Sequence, residues 1–148
     1  MADSVVSYMD CGIAVDDRGL LTFANGFDMA RVRRFYTVQN HTSGFVRGWH
    51  AHKREEKFIF PVSGSAVVAA VEVDDWENPS PDLVVTKHIV SSITPRILHV
   101  PGGFAHGFKT LSPDTSLMFF STSTLEESAD DDYRYEAYYW DAWNIVER

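Results

Sequence analysis

Two histidines separated by one residue, His50 and His52, are the first chemical signal in this chain, and a third, His106, follows a Pro-Gly-Gly turn. On a β-strand, residues i and i+2 face the same way, so His50 and His52 enter whatever space that face encloses. Imidazole titrates near neutrality and also ligates metals, which leaves two chemistries open. In one, His50, His52, Glu56 and His106 hold a divalent metal, since three imidazoles and a carboxylate suit zinc, iron, manganese or nickel. In the other, the histidines are acid/base groups. Burying several imidazoles together is costly unless they share a ligand, a proton or a metal. His41, His88 and His99 lack this spacing and are expected at the surface or bonded to backbone.

The elements that must carry these residues read as strands. Leu20–Asn25, Arg33–Gln39, Lys57–Val62, Ser65–Val73, Leu83–Val90, Ile97–Val100 and Ser116–Ser121 are short and rich in β-branched and aromatic residues. Ser63-Gly64, Asn78-Pro79-Ser80-Pro81, Pro101-Gly102-Gly103 and Ser112-Pro113-Asp114 separate them as turns. Many short strands with regular turns predict an all-β sandwich or barrel. Helix has little support before residue 125, and one or two helical turns are expected within Glu126–Trp143. The acidic run Glu126–Asp132 reads as a solvated loop or helix start, and Lys53-Arg54-Glu55 as an exposed run. The tyrosines at 133, 135, 138 and 139 read as packing or interface residues, and the tryptophans at 140 and 143 as cover for the core.

Composition narrows the partners. The chain has 148 residues, which makes one domain, 1–148, the default. Thirteen basic against 21 acidic residues give a formal charge of −8, which argues against nucleic acid as a partner. A small anionic ligand needs only a few local cations and stays open. No apolar run reaches membrane-spanning length. The single cysteine, Cys11, permits neither an internal disulfide nor a CxxC site, and with no signal peptide a reducing cytoplasm is the expected location.

The motif spacing resembles that of the cupin superfamily. Gly44, His50, His52 and Glu56 follow the first cupin motif, with its closing glycine one residue late at Gly64, and Pro101, Gly103 and His106 follow the second, whose later Asn is Thr110 here. Val38-Gln-Asn-His-Thr-Ser-Gly-Phe-Val-Arg-Gly-Trp-His50, Phe104-Ala-His-Gly-Phe108 and Tyr139-Trp-Asp141 resemble segments of the dTDP-4-keto-6-deoxyhexose 3,5-epimerases, the RmlC-like cupins. Asp17-Arg18-Gly19 and Arg47-Gly-Trp-His-Ala-His-Lys53 resemble equally the sister dTDP-sugar 3,4-ketoisomerases.

The resemblance implies a jelly-roll β-barrel, an isomerase, no metal or other cofactor, a nucleotide-linked sugar substrate, and a homodimer paired through N-terminal strands. In both families a base removes a proton beside a 4-keto group, an enolate forms, and the site of reprotonation sets the product. His50 matches the base, and Asp141 the C-terminal carboxylate that orients it. His52 matches the second acid/base histidine of the ketoisomerases. Lys57, at a shorter offset from the histidine than in the epimerases, corresponds to the lysine facing the enolate. Arg18, Gln39, Asn40 and Arg47 match positions that hold pyrophosphate or sugar; Arg18 reads equally well as a surface residue. His106 is expected to bind sugar or orient the pocket. One departure stands out: both families carry a Tyr-rich stretch after the penultimate strand, where this chain has Ser121-Thr-Ser-Thr-Leu-Glu126. Tyr36 or a C-terminal tyrosine is the candidate substitute for the missing acid. The rivals are a metal-dependent cupin enzyme and a cupin that binds a sugar nucleotide without turnover.

Overall fold

The computed structural model describes residues 5–148. Twelve strands and one short helix follow in order: β1 (Ser7–Asp10), β2 (Gly12–Asp16), β3 (Gly19–Phe23), β4 (Arg34–Gln39), β5 (Val46–His52), β6 (Lys57–Ser63), β7 (Ser65–Glu72), β8 (Val85–Ser91), β9 (Arg96–Val100), β10 (Phe104–Thr110), β11 (Ser116–Ser121), α1 (Leu125–Ala129) and β12 (Tyr133–Arg134). Two five-stranded antiparallel sheets, β1-β9-β6-β11-β4 and β12-β5-β10-β7-β8, face each other as a jelly roll, and β2 and β3 form a separate hairpin. The expected all-β fold is the one observed. The helical turns expected in Glu126–Trp143 amount to α1, and β12 follows it.

Strand alternation builds two cores. Ile59, Val68, Val90, Leu98, Leu117 and Phe119 point inward from both sheets and fill one end of the barrel. On the outer face of the second sheet, Trp49, Ala51, Val67, Ala69, Val71 and Ala105 form another buried cluster, covered by Trp140, Ala142 and Trp143 of the C-terminal segment. The Trp49 and Trp140 rings meet edge to face, 5.2 Å between centroids. Such pairs contribute about 0.5–1.5 kcal/mol beyond the area they bury. The C-terminal segment therefore supplies the covering layer that a sheet with an apolar outer face requires.

Two glycine positions shape the chain around the histidines. Gly48 and Gly107 let β5 and β10 approach closely: a Cβ on Gly107 would lie 2.8 Å from the Arg47 carbonyl oxygen and 3.1 Å from Gly48 Cα. The register between these strands shifts there, between His106 and Phe108. Gly64 takes φ +72 in the β6–β7 turn, where a Cβ would also strike Thr115.

Candidate active site

β5 has two chemically distinct faces. Trp49 and Ala51 enter the outer core, so His50 and His52 must face the barrel interior. Across the ladder His106 on β10 pairs in register with His50. Its ring centroid lies 6.4 Å from that of His50 and 5.8 Å from that of His52. The three rings line a cavity of about 500 Å³. From the facing sheet, Arg34, Tyr36 and Val38 of β4, Lys57 of β6 and Phe119 of β11 close it. Arg47, α1, Asp132 just before β12 and Arg134 of β12 complete the wall. The lining cations Arg34, Arg47, Lys57 and Arg134 face one lining carboxylate, Asp132. The cavity is thus cationic in a chain of net charge −8, a contrast that draws an anionic ligand to this site.

The three histidines differ in their proton chemistry. His52 is buried, and its Nδ1 sits 2.7 Å from the Asp131 carbonyl oxygen and 3.4 Å from Glu55 Oε1. A backbone carbonyl can only accept, so Nδ1 carries the proton and Nε2 is the free nitrogen of the neutral ring. His50 is half-buried; burial first, then the Arg134 charge, hold its pKa below the ordinary 6.5. His106 is fully buried, its Nε2 has no hydrogen-bond partner, and desolvation followed by the charges of His52 and Lys57 push its pKa well below 6.5. A neutral His50 is a competent base at neutral pH.

Lys57 begins β6 with 4% of its surface exposed. Its Nζ lies 2.7 Å from Glu55 Oε2 and donates to the Tyr36 hydroxyl at 3.0 Å. Tyr36 stacks on Phe119, centroids 5.2 Å apart and planes 4° apart. Glu55 is buried beneath this wall. Burial raises its pKa, but hydrogen bonds from Lys57, Ser121 and Ser128 outweigh that and lower it from 4.5 to about 2.

The structure separates the remaining expectations. Arg47 lines the cavity, with its Nε donating to Asn40 Oδ1 at 2.6 Å; Asn40 itself does not line it. Gln39 is exposed: β4 alternation turns Arg34, Tyr36 and Val38 inward and Gln39 outward. Arg18 stands exposed at the β2–β3 hairpin, its guanidinium 2.5 Å from Asp16. Asp141 is exposed in the segment covering the outer face of the second sheet, so it does not join His50, which points to the opposite face. The carboxylate that shares the cavity with His50 is Asp132. Glu56 is also displaced from the histidines: it pairs with Arg31 and, at 2.6 Å, with His99 Nε2. The four-residue metal set of the rival reading is therefore not assembled, and no group of three or more metal-ligating side chains comes together among the described residues.

Two residues carry weight that their sequence context concealed. Glu55 lies in a charged run yet is 2% exposed. Asp131, in the acidic cluster, is also 2% exposed. Its carboxylate accepts from the backbone N–H groups of Lys53 at 2.7 Å, Arg54 at 2.9 Å and Glu55 at 2.9 Å. It therefore fixes the β5–β6 turn between His52 and Lys57. A single charged run carries no periodic signal that separates its buried member from its exposed ones.

A small antiparallel β-barrel with histidines and cations converging in its interior defines a cupin. Within that class, the chain belongs to the dTDP-4-dehydrorhamnose 3,5-epimerase family, whose sequence pattern matches residues 10–141. Among solved structures, the dTDP-4-dehydrorhamnose 3,5-epimerase from Sulfolobus tokodaii is similar at 24% identity and TM-score 0.75, covering 95% of this chain and 81% of that one. The Bacillus anthracis dTDP-4-dehydrorhamnose 3,5-epimerase, with TDP and PPi bound, is similar at 23% identity and TM-score 0.74, covering 96% and 86%. A sugar 3,4-ketoisomerase from Thermoanaerobacterium thermosaccharolyticum, in complex with TDP, is similar at 18% identity and TM-score 0.67, covering 92% of both chains. These likenesses establish the shared fold. No curated protein matches the sequence.

Proposed function

We propose that this protein isomerises a nucleotide-linked 4-keto-6-deoxyhexose by removing the proton on C3 and stabilising the resulting enolate. The dTDP group is the favoured nucleotide, in line with the family and with the TDP complexes of the similar structures. The observation that carries this reading is the convergence of His50, His52 and Lys57 on one cationic cavity large enough for a hexose. His50 takes the C3 proton as its neutral imidazole. Lys57, with two of its three donors engaged by Glu55 and Tyr36, offers the third to the developing O4 oxyanion. Return of a proton to the opposite face of C3 gives epimerisation, and delivery to C4 through an enediol moves the ketone. His52 Nε2–H, once that ring is protonated, and the Tyr36 hydroxyl are the proton donors on the available walls. Arg47 and Arg134 suit the pyrophosphate, because a guanidinium fork matches phosphate oxygens.

The reaction proposed needs no metal. The protein is further proposed to be a single cytoplasmic domain acting as a homodimer. No described helix is long and apolar enough to cross a membrane. The β2–β3 hairpin pairs with neither main sheet and exposes Val15, Leu20 and Leu21. An apolar hairpin of this kind is suited to a second copy, and sedimentation velocity of the purified chain decides it. The enzymatic reading is tested by incubation with dTDP-4-keto-6-deoxyglucose in D₂O. Deuterium appears at C3 if the reading holds. Binding of dTDP without any isotope exchange refutes it in favour of a non-catalytic binding protein.

A further inference from the structure

Glu55 enters the mechanism above only as a partner of Lys57, yet its surroundings are unusual. Both oxygens are satisfied by donors from three separate parts of the chain: Lys57 Nζ at 2.7 Å, Ser128 Oγ at 2.5 Å, Ser121 Oγ, and Arg34 Nη2 at 3.3 Å, with His52 Nδ1 at 3.4 Å beside them. Four of these, Arg34, His52, Lys57 and Ser128, are also wall residues of the cavity. Glu55 itself does not line it. A buried ion pair is not needed for stability, since an apolar pair of similar volume commonly serves as well. A carboxylate holding Arg34, Lys57 and Ser128 from behind serves the geometry of the cavity they line.

We infer that Glu55 is the positioning residue of this site: its carboxylate fixes the Lys57 ammonium against Tyr36, so that the ammonium presents its free donor to the ligand. This rests on the reading of the cavity as an enolising site and adds the group that aims its cation. Lys57 is on a flexible four-carbon stem with three rotatable donors. Without Glu55 the tether to Tyr36 at 3.0 Å remains, but the ammonium gains freedom to turn toward that hydroxyl. Its donor then no longer meets an oxyanion in a prepared position, which is where such donors gain most of their effect.

The test uses Glu55→Gln and Glu55→Asp in the full-length protein. With wild type active in C3 exchange, Glu55→Gln is expected to lower kcat about 100-fold while KM changes less than about threefold. Glu55→Asp, which keeps the charge, is expected to recover part of the loss. Wild-type kcat in Glu55→Gln overturns the inference. If Glu55→Gln does not fold, Glu55→Asp decides alone: a lowered kcat at unchanged KM supports the inference, and wild-type kinetics overturn it. The Lys57 side-chain resonances in lysine-labelled protein, assigned with Lys57→Met, give a readout independent of turnover. They shift and broaden in the Glu55 variants if the carboxylate fixes the ammonium. Unmoved resonances overturn the inference even if wild type exchanges no deuterium, an outcome that by itself refutes only the proposed reaction.

Discussion

Removing the Asp131 carboxylate should unfasten the β5–β6 turn. In the native protein Oδ1 accepts from Lys53 N–H, and Oδ2 from Arg54 and Glu55 N–H. Hydrogen bonds to a charged acceptor contribute about 1.5–3 kcal/mol each and do not add fully. The Lys53 and Arg54 side chains are exposed, so their amides have water nearby, whereas Glu55 is buried and its N–H would be stranded. Asp131→Ala is therefore expected to cost about 3–4 kcal/mol. Asp131→Asn is the sharper probe. An amide keeps one acceptor oxygen and turns an NH₂ donor toward the remaining N–H groups, so about 2 kcal/mol or more is lost despite the matched shape. For a chain of this length each kcal/mol lowers Tm by roughly 2–4 °C, which puts Asp131→Ala about 10 °C below wild type. Urea unfolding with an unchanged m-value, together with differential scanning calorimetry, measures both variants. Losses below about 1 kcal/mol for Asp131→Ala would show that the carboxylate is an ordinary surface group, and the account of the turn would fail.

His50→Asn should fold normally and lose at least about 100-fold in C3 deuterium exchange, read by NMR; retained exchange would remove His50 as the base. Because burial and Arg134 hold the His50 pKa below 6.5, the acidic limb of kcat/KM in wild type should fall at a pH below 6.5, and a limb above 7 would contradict this. Arg47→Ala should raise KM or the Kd for dTDP about tenfold with kcat nearly unchanged, measurable by calorimetry and steady-state rates. Asp141→Ala should leave the exchange rate and stability near wild type, because this exposed carboxylate lies on the far side of β5 from His50; a 100-fold loss of activity would restore the orienting role that the family resemblance implies. Acid should unfold the protein through Glu55. Its folded pKa of about 2 lies below the ordinary 4.5, so its contribution is complete above 4.5 and is lost as pH falls toward 2, about 3 kcal/mol in all. Urea titrations between pH 7 and 2 on wild type and Glu55→Gln separate this share.

Much of this could be read from residue order. Alternating apolar residues and turn dipeptides predicted β4, β6, β7, β8, β9 and β11 to within two residues at each end, since these strands carry their own periodicity. The histidines were legible because i and i+2 on a strand share a face whatever the fold. Direction within the fold was not legible. Gln39 reads as well for the inner face as Tyr36 does, and one register step decides between them. Asp141 was expected beside His50 on resemblance alone, whereas Trp140 and Trp143 anchor that segment to the opposite face. Glu55 and Asp131 were hidden because the burial of each depends on partners that lie 66 to 78 residues distant in sequence, beside nearer ones such as Lys57.

The departure from the family pattern at Ser121–Glu126 then acquires a physical meaning. Where the resemblance implies a tyrosine-rich stretch reaching into the cavity, this chain places Ser121, whose hydroxyl bonds Glu55, and then Thr124, which caps α1 through a box closed by Glu127. That cap sets the first turn of α1 and brings Ser128 back onto Glu55 Oε1 at 2.5 Å. The segment that would supply a proton donor directly instead supplies two hydroxyls to the carboxylate behind Lys57. Tyr36, hydrogen-bonded to the same lysine, is left as the phenol within the cavity wall. If the catalytic acid has moved in this way, Tyr36→Phe removes product formation but spares deuterium exchange at C3, because exchange needs only the base to return a solvent proton to the face it came from. Parallel loss of both activities in Tyr36→Phe would place the phenol in enolate formation itself and refute the separation of base from acid.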